Sequence, residues 1–584
     1  MTEPGRLFDL DEPPPPRPDP AWPAVVRVLP DVSGLDKEFD YLPVGGGAAP
    51  PVGSLVRVEL QHRAVAGWVT ASGVTPPPGV SPHPLMKVTS AGPSPDLVDL
   101  ARWAAHRWSG RLAPVLRAAS PPRQVPLLAD VEPTISYKGA AGVTLVRLAP
   151  DDDGLHLIEP LARRGSVLVI APRLGAAGHL AGRLRRLGLG ARVHPRDWPT
   201  AAARGGVVVG ARSAVWARVP DLAGIVVLDE HDESLQEERN PTWHARDVAV
   251  ERARLAGVPC VLASPCPSLA ALAAAGDELR TPSRSAERAG WPVIELIDRR
   301  GEEPGRSGLF SPRVANVVRG PGSVLCVLNR KGRAVMLSCA VCGELVRTED
   351  REHLMVERDG QLVSPTTGET RPLVCAVCGA AKLKRLRLGV TRAAEELAAL
   401  AGEPVAELTA GTSAARLPAR VLVGTEAALH QLGGVATVVF LDIDAELLAP
   451  RYRAGEQAMA LLVHAARLAG PRAGGGRIVV QTRAPEHRVL RAALHADPGV
   501  LAREEAVVRR AMGLPPYGAL AEVSGAGAEA LAARLVADPA LTVMGPRDGR
   551  WLIRADTPDH LADALRPDHR PPGRIRVHVD PPRV

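Results

Sequence analysis

No apolar run in the 584 residues reaches the roughly 18 needed to cross a bilayer as a helix. The opening Met1–Pro20 is acidic and proline-rich, not a charged stretch followed by an apolar one. Neither a membrane span nor a secretion leader is expected. Cysteine is scarce, seven residues in all, and four of them fall in two C-x-x-C pairs. An odd count in that arrangement speaks against a disulfide framework, and thiolates kept reduced for metal point to the cytoplasm. Excess charge is modest too: a formal +7 and a pI near 9.2 permit contact with a polyanion but carry no message alone.

Apolar residues make up 46% and charged residues 23%, ordinary for folded protein, while 57 prolines and 56 glycines imply many turns. At roughly 100 to 200 residues per domain, about three to five units are expected, so the chain is multidomain.

Residues 1–22, with Pro13 to Pro16 in a row, cannot bury apolar surface and read as a disordered tail. Over residues 23–92 short strand-like runs such as Leu55-Val56-Arg57-Val58 alternate with Gly and Pro turns, which reads as a β domain. Residues 93–138 carry a helical stripe through Leu97, Leu100, Trp103, Ala104 and Trp108 and read as a winged-helix-like segment. From 139 to 290 buried-strand runs, among them Ser166–Ile170 and Ile225–Leu228, alternate with helical stretches, the pattern of a parallel sheet covered by helices. The rhythm returns over 291–335 and 387–500 with runs such as Val324–Leu328 and Thr437–Leu441. The fold class is therefore α/β, with two lobes in tandem. An insert at 336–386 interrupts the second lobe, and a smaller α/β domain fills 501–584.

The insert carries Cys339-x-x-Cys342 and Cys375-x-x-Cys378, each followed by a glycine that suits the tight turn of a metal knuckle. Four thiolates in two such pairs make a closed, structural Zn²⁺ site; two redox-active pairs are the other reading.

At the end of the Ile225–Leu228 run stand Asp229-Glu230-His231-Asp232, at the strand edge where nucleotide-binding lobes hold Mg²⁺ and water. Two readings stay open for Asp229 and Glu230: that role, or capping the strand edge and pairing with nearby arginines. Around them lie Gly210-Ala211-Arg212-Ser213-Ala214, Trp243-His244-Ala245-Arg246-Asp247, Ala263-Ser264-Pro265, Leu328-Asn329-Arg330-Lys331-Gly332 and Gly424-Thr425-Glu426. In kind and order these strings resemble the motifs of the PriA helicase family, which implies two RecA-like lobes. The ends resemble that family as well. Lys37-Glu38-Phe39-Asp40-Tyr41-Leu42-Pro43 is similar to the start of its domain for DNA 3′ ends, and Leu514-Pro515-Pro516-Tyr517 to its C-terminal domain.

The resemblance lapses at catalytic points. Where a G-x-x-x-x-G-K-[ST] loop belongs, the chain has Pro150-Asp151-Asp152-Asp153-Gly154-Leu155-His156, without the lysine, and its aspartates repel a triphosphate. The acidic box is one residue short. In the last motif Leu468 and Pro471 replace two arginines, leaving Arg467 and Arg472 as the nearest. The family's eight cysteines are reduced to the outer four, so one zinc is expected.

For the N-terminal domain the resemblance implies DNA contact by Phe39, Asp40, Arg63 and Lys87. An aromatic ring stacks on a base, a carboxylate accepts from a base edge or terminal hydroxyl, and cations meet phosphate. Phe39 also reads as a core aromatic and Asp40 as a turn carboxylate. A basic run, Lys382, Lys384, Arg385 and Arg387, reads either as a phosphate-facing patch or as a solvated face.

The expectation is a protein of replication restart that binds stalled forks and D-loops with a free 3′ end and recruits primosome and replisome proteins. It is expected to be a degenerate motor that uses no ATP and is not an enzyme, cytoplasmic and at the nucleoid when on DNA. The alternatives are an active ATP-dependent 3′ to 5′ helicase with a divergent nucleotide site, and a scaffold that no longer touches DNA.

Overall fold

Valine-rich runs bounded by glycine and proline set the architecture. In the computed structural model residues 24–127, 141–301, 308–328, 336–342, 346–349, 355–358, 360–364, 369–386, 390–408 and 419–584 are described. The tail expected over 1–22, the Asn329-Arg330-Lys331-Gly332 string, Gly343 and Arg387 lie outside them. The described residues divide into two compact units, one of 24–103 with 111–127 and one of 104–110 with 141–584.

The first unit is a six-stranded antiparallel sheet with one parallel pairing. Side chains alternate along its strands, so Val26 and Val28, then Val56 and Val58, point inward while Arg57 and Glu59 point to solvent. The segment carrying His83–Pro84 and Lys87–Ser90 pairs first with Phe39–Leu42 and then with Leu55–Leu60, which closes the sheet on itself. Helices Pro95–Arg107 and Leu112–Ala119 follow, and Trp68 Nε1 donates to Ser120 Oγ at 2.8 Å to fasten the end of the second to the barrel. The winged-helix-like segment is thus two helices, with no strand among its described residues, and residues 93–103 and 111–127 share the barrel's unit instead of beginning a new one at 93.

In the second unit two all-parallel sheets stand in tandem, the RecA-like pair. The first has seven strands, with Leu222–Leu228 and Ser166–Ile170 at its centre. All five side chains of Ser166–Ile170 are buried, as a strand covered on both faces requires. The second has six strands, centred on Thr437–Asp442 and Val324–Leu328. Each fully buried Val, Leu or Ile contributes on the order of 1.5–3 kcal/mol before chain entropy is counted. Because every strand in a sheet points the same way, their C-terminal ends, and the loops leaving them, gather along one edge.

The insert contains the antiparallel pair Met336–Cys339 and Leu383–Leu386 and a three-stranded sheet, and among its described residues the buried apolar cluster is Leu337, Val346, Met355 and Leu362. The C-terminal domain is a four-stranded antiparallel sheet with helices Ala528–Leu535 and Pro558–Ala564. No helix among the described residues is long and apolar enough to cross a membrane.

Candidate functional site

Strand pairing sets up the metal centre. Cys339 ends one strand of the pair whose partner starts at Leu383, directly across from it, just past the second C-x-x-C turn. One ligand atom from each of Cys339, Cys342, Cys375 and Cys378 lies within 4.8 Å of all the others. Cys339 and Cys378 sulfurs are 3.4 Å apart, Cys342 and Cys375 sulfurs 3.6 Å. A tetrahedral ion at 2.3 Å from each sulfur needs edges of about 3.8 Å, so the quartet fits Zn²⁺. The backbone N–H groups of Cys342 and Val341 point at Cys339 and lower its thiol to about 6, favouring the thiolate a metal requires. Gly379, after the second pair, takes φ 72, a conformation that favours glycine.

Between the two lobes, helix Ala454–Ala469 lays one face along the acidic string that leaves Leu222–Leu228. Positions three and seven residues apart share a helix face. Gln457 Nε2 donates to Glu233, His464 Nε2 stands 3.5 Å from Asp232, and Arg467 donates to Asp229. Arg467 Nε also donates to the Pro150 carbonyl at 3.0 Å. Burial acts to raise the Asp229 carboxyl, but the Arg467 charge and hydrogen bond outweigh it and hold the group below the usual carboxylate range. Asp229 itself takes φ 51, a left-handed conformation that aspartate tolerates better than most residues.

Glu230 is fully buried and satisfied from three directions: Ser268 N at 2.8 Å, Ser268 Oγ at 2.7 Å and Arg246 Nη1 at 3.3 Å. His231 Nδ1 shares a proton with Ser264 Oγ at 2.7 Å. Asp229 and Glu230 thus each pair with an arginine, Arg467 and Arg246. The loop that replaces the phosphate cradle is self-satisfied as well. Asp152 accepts from Gly154 N at 2.9 Å and Asp153 from Leu155 N at 3.1 Å, while Arg183 pairs with Asp153. Residues 150–156 hold no lysine, and the Gly154 and Leu155 amides are bonded within the loop.

Beside this contact lies a cavity of about 350 Å³ whose walls include Arg173, Asp232, His430, Arg453 and His464. The His430 and His464 rings meet edge to face at 4.4 Å, and burial pushes the His430 imidazole down to about 4. The loop on its flank is tied to the last strand by Gln236, Asn240 and Thr242, which donate to the carbonyls of Asp580, Val577 and Val579 at 2.8–3.0 Å.

In the N-terminal barrel, Arg27 and Asp40 are direct cross-strand partners, and the guanidinium grips the carboxylate with bonds of 2.8 and 3.2 Å. Phe39 packs partly buried against the barrel core with Lys37 Nζ 5.5 Å from its ring centre. Lys87 is exposed on the closing segment. Arg63, also exposed, follows the turn Gln61-His62, both of whose residues have positive φ, 50 and 62. Phe39 and Asp40 therefore share a strand and Lys87 lies on the closing segment, whereas Arg63 stands at the tip of a separate hairpin. Of the basic run, Lys382 is exposed. Motif spacing does not foretell the partners Arg27 and Arg467. The arginine of the Trp243–Asp247 string does foreshadow the Glu230 pair.

Residues 27–121 match the family model of the 3′ DNA-binding domain of PriA. The replication restart protein PriA of Thermotoga maritima is 28% identical over 404 residues, covering 63% of this chain and 54% of that protein. The chain thus spans about half the length of that relative. The probable replication restart protein PriA of Mycobacterium tuberculosis H37Rv is 27% identical over 623 aligned positions, covering 93% of this chain and 90% of that protein. Among solved structures, the DUF1998 helicase MrfA bound to DNA and AMPPNP is similar at a TM-score of 0.34 and 12% identity, over 70% of this chain and 57% of that one. These relatives overturn the expectation that the chain is not an enzyme. PriA is a helicase family, the mycobacterial alignment runs through both lobes, and a changed phosphate loop is a local departure within them that does not demonstrate inactivity. The chain is thus similar to replication restart proteins PriA along nearly its whole length.

Proposed function

We propose that the chain serves replication restart by binding forked DNA and D-loops that present a free 3′ end, through the barrel of residues 24–127, and by bringing primosome and replisome proteins to them. The observation that carries this reading is that the 3′ DNA-binding match, residues 27–121, coincides, apart from residues 104–110, with the compact unit of the barrel and the helical residues that follow it. In this reading Asp40 and Phe39 meet the terminal nucleotide, Lys87 and Arg63 the flanking phosphates, and one structural Zn²⁺ on the four cysteines staples the insert. Zinc there supplies the cross-link that a core of so few apolar residues does not.

The test is fluorescence anisotropy on forks that differ only in a 3′ hydroxyl or a 3′ phosphate on the leading arm, titrated at two salt concentrations. The hydroxyl fork should bind at least about tenfold tighter, and Asp40→Ala should erase that preference while leaving salt-dependent duplex affinity in place. Equal affinity of the wild-type chain for both forks would sink the reading. For the helicase class the measurement is DNA-stimulated nucleotide hydrolysis by the wild-type chain beside Asp229→Ala. A rate that falls with the substitution assigns the work to the Leu222–Leu228 strand end, and an unchanged rate removes it from there.

A further inference from the structure

The interlobe cleft of a two-lobed motor is the place where a bound polyanion ordinarily draws cationic groups of the second lobe onto the first. Here the chain supplies both signs itself. Arg467, near the end of helix Ala454–Ala469, reaches across to Asp229 and to the Pro150 carbonyl, so one guanidinium joins two separate loops of the first lobe. Below it the Asp152 and Asp153 carboxylates take the loop's own amides, and Arg183 closes over Asp153. His464 and Gln457, on the same helix face, extend the contact to Asp232 and Glu233.

We propose that Arg467 is an interlobe latch, which holds the two sheets together and must let go of Asp229 before the cleft opens. Its geometry is specific to arginine, because Nε and Nη1 serve different partners at once, which a single ammonium does not reproduce. Further contacts join the lobes elsewhere, among them Leu269 N to Glu456 at 2.8 Å, Arg147 to Asp497 at 3.3 Å, and Arg284 to the Ala496 carbonyl at 2.9 Å. Losing the latch therefore loosens one side of the cleft without separating the lobes. The proposal is independent of fork recognition, since every residue in it belongs to the second unit.

Hydrogen exchange of the full-length chain, read peptide by peptide, tests it. Arg467→Ala and Asp229→Asn should each speed exchange at least tenfold in the peptides spanning 148–157 and 228–233. The double variant should be no faster than Arg467→Ala alone, because that substitution already breaks the bond to Asp229. Arg467→Lys, which keeps the charge, should fall between. Peptides of the barrel, in the other unit, should stay at the wild-type rate, and the central strand Thr437–Asp442, which reports global unfolding, should speed up by less than the two loops. Unchanged exchange in the two loops, additive effects in the double variant, or a rise spread evenly over the second unit each overturns the latch.

Discussion

The interlobe cleft and the cysteine insert both gather groups able to carry negative charge from distant parts of the chain, and they neutralise them differently. In the cleft each carboxylate meets a cation or donor from the chain itself: Asp229 has Arg467, Glu230 has Arg246 and Ser268, and Asp232 has His464 and Arg173. In the insert the groups acting on Cys339 and Cys375 are backbone N–H groups and the other thiols, with no arginine or lysine among them. A site whose counter-charge is built in is neutralised by its own chain. One without it is suited to a metal. The N-terminal barrel lies between these extremes, since Asp40 has Arg27 beside it but on an adjacent strand of one sheet.

Removing the metal sharpens the contrast most. Structural zinc in small fingers is linked to folding by about 10–16 kcal/mol, and the insert's core among the described residues is four buried apolar side chains. Cys339→Ser is expected to abolish stoichiometric zinc, read by elemental analysis, and to expose the Met336–Cys339 and Leu383–Leu386 amides to fast exchange. The two parallel sheets should keep their protection. A variant that retains one zinc per chain would break the comparison at its stronger end.

Next in size is the cleft. Taking one partner from a buried ion pair costs about 3–5 kcal/mol, and the lower end applies here because the Arg467 side chain keeps 27% of its surface exposed. Arg467→Ala should therefore lower the second unit's stability by about 2–3 kcal/mol, measured as a fall in the urea midpoint. A loss under about 0.5 kcal/mol would place the pair with ordinary surface contacts.

The same pair fixes a pH dependence. Asp229 is held below the usual carboxylate range in the fold, so near its unfolded value of about 3.9 the unfolded chain binds the extra proton. The stabilisation is complete above that value and is lost as pH falls from it toward the folded one. Urea midpoints of wild type and Asp229→Asn should differ by a constant amount at neutral pH and converge as pH drops below about 4. A gap that widens in acid would contradict the sign of the shift.

How far the sequence discloses these sites follows from how local their causes are. The Ser166–Ile170, Leu222–Leu228 and Val324–Leu328 strands are readable because continuous burial leaves runs of Val, Ile and Leu. The short flanking strands Ala191–Val193 and Leu279–Arg280 leave no run long enough to read. The cysteine quartet is legible because ligand type and spacing are the chemistry itself. The Asp229 partner is not, since Arg467 lies 238 residues away and is brought there by packing of whole lobes. The expected loss of enzymatic character leaned on three altered elements, the phosphate loop, the shortened acidic box and the two replaced arginines, and such local changes are a small fraction of what defines the family. The helical segment after the barrel carried the periodicity of a helix truthfully, but periodicity says nothing about which unit a helix joins.

The smallest effect belongs to Asp40, and it separates structure from recognition. Arg27 and Asp40 are opposite residues of neighbouring strands whose register is already set by Val26, Val28 and Tyr41 inside the barrel. A cross-strand charge pair contributes about 0.2–1 kcal/mol, and when Asp40 is removed the Arg27 side chain, 35% exposed, can be rehydrated where it stands. Asp40→Ala should thus lower the urea midpoint of the barrel by no more than about 1 kcal/mol while removing the preference for a 3′ hydroxyl fork. Arg27→Ala supplies the control: it breaks the same pair but leaves the carboxylate in place, so end preference should survive. If both substitutions abolish end preference equally, the pair acts on DNA only by holding the strand in position, and the barrel's carboxylate joins those of the cleft as one already spoken for by its own arginine.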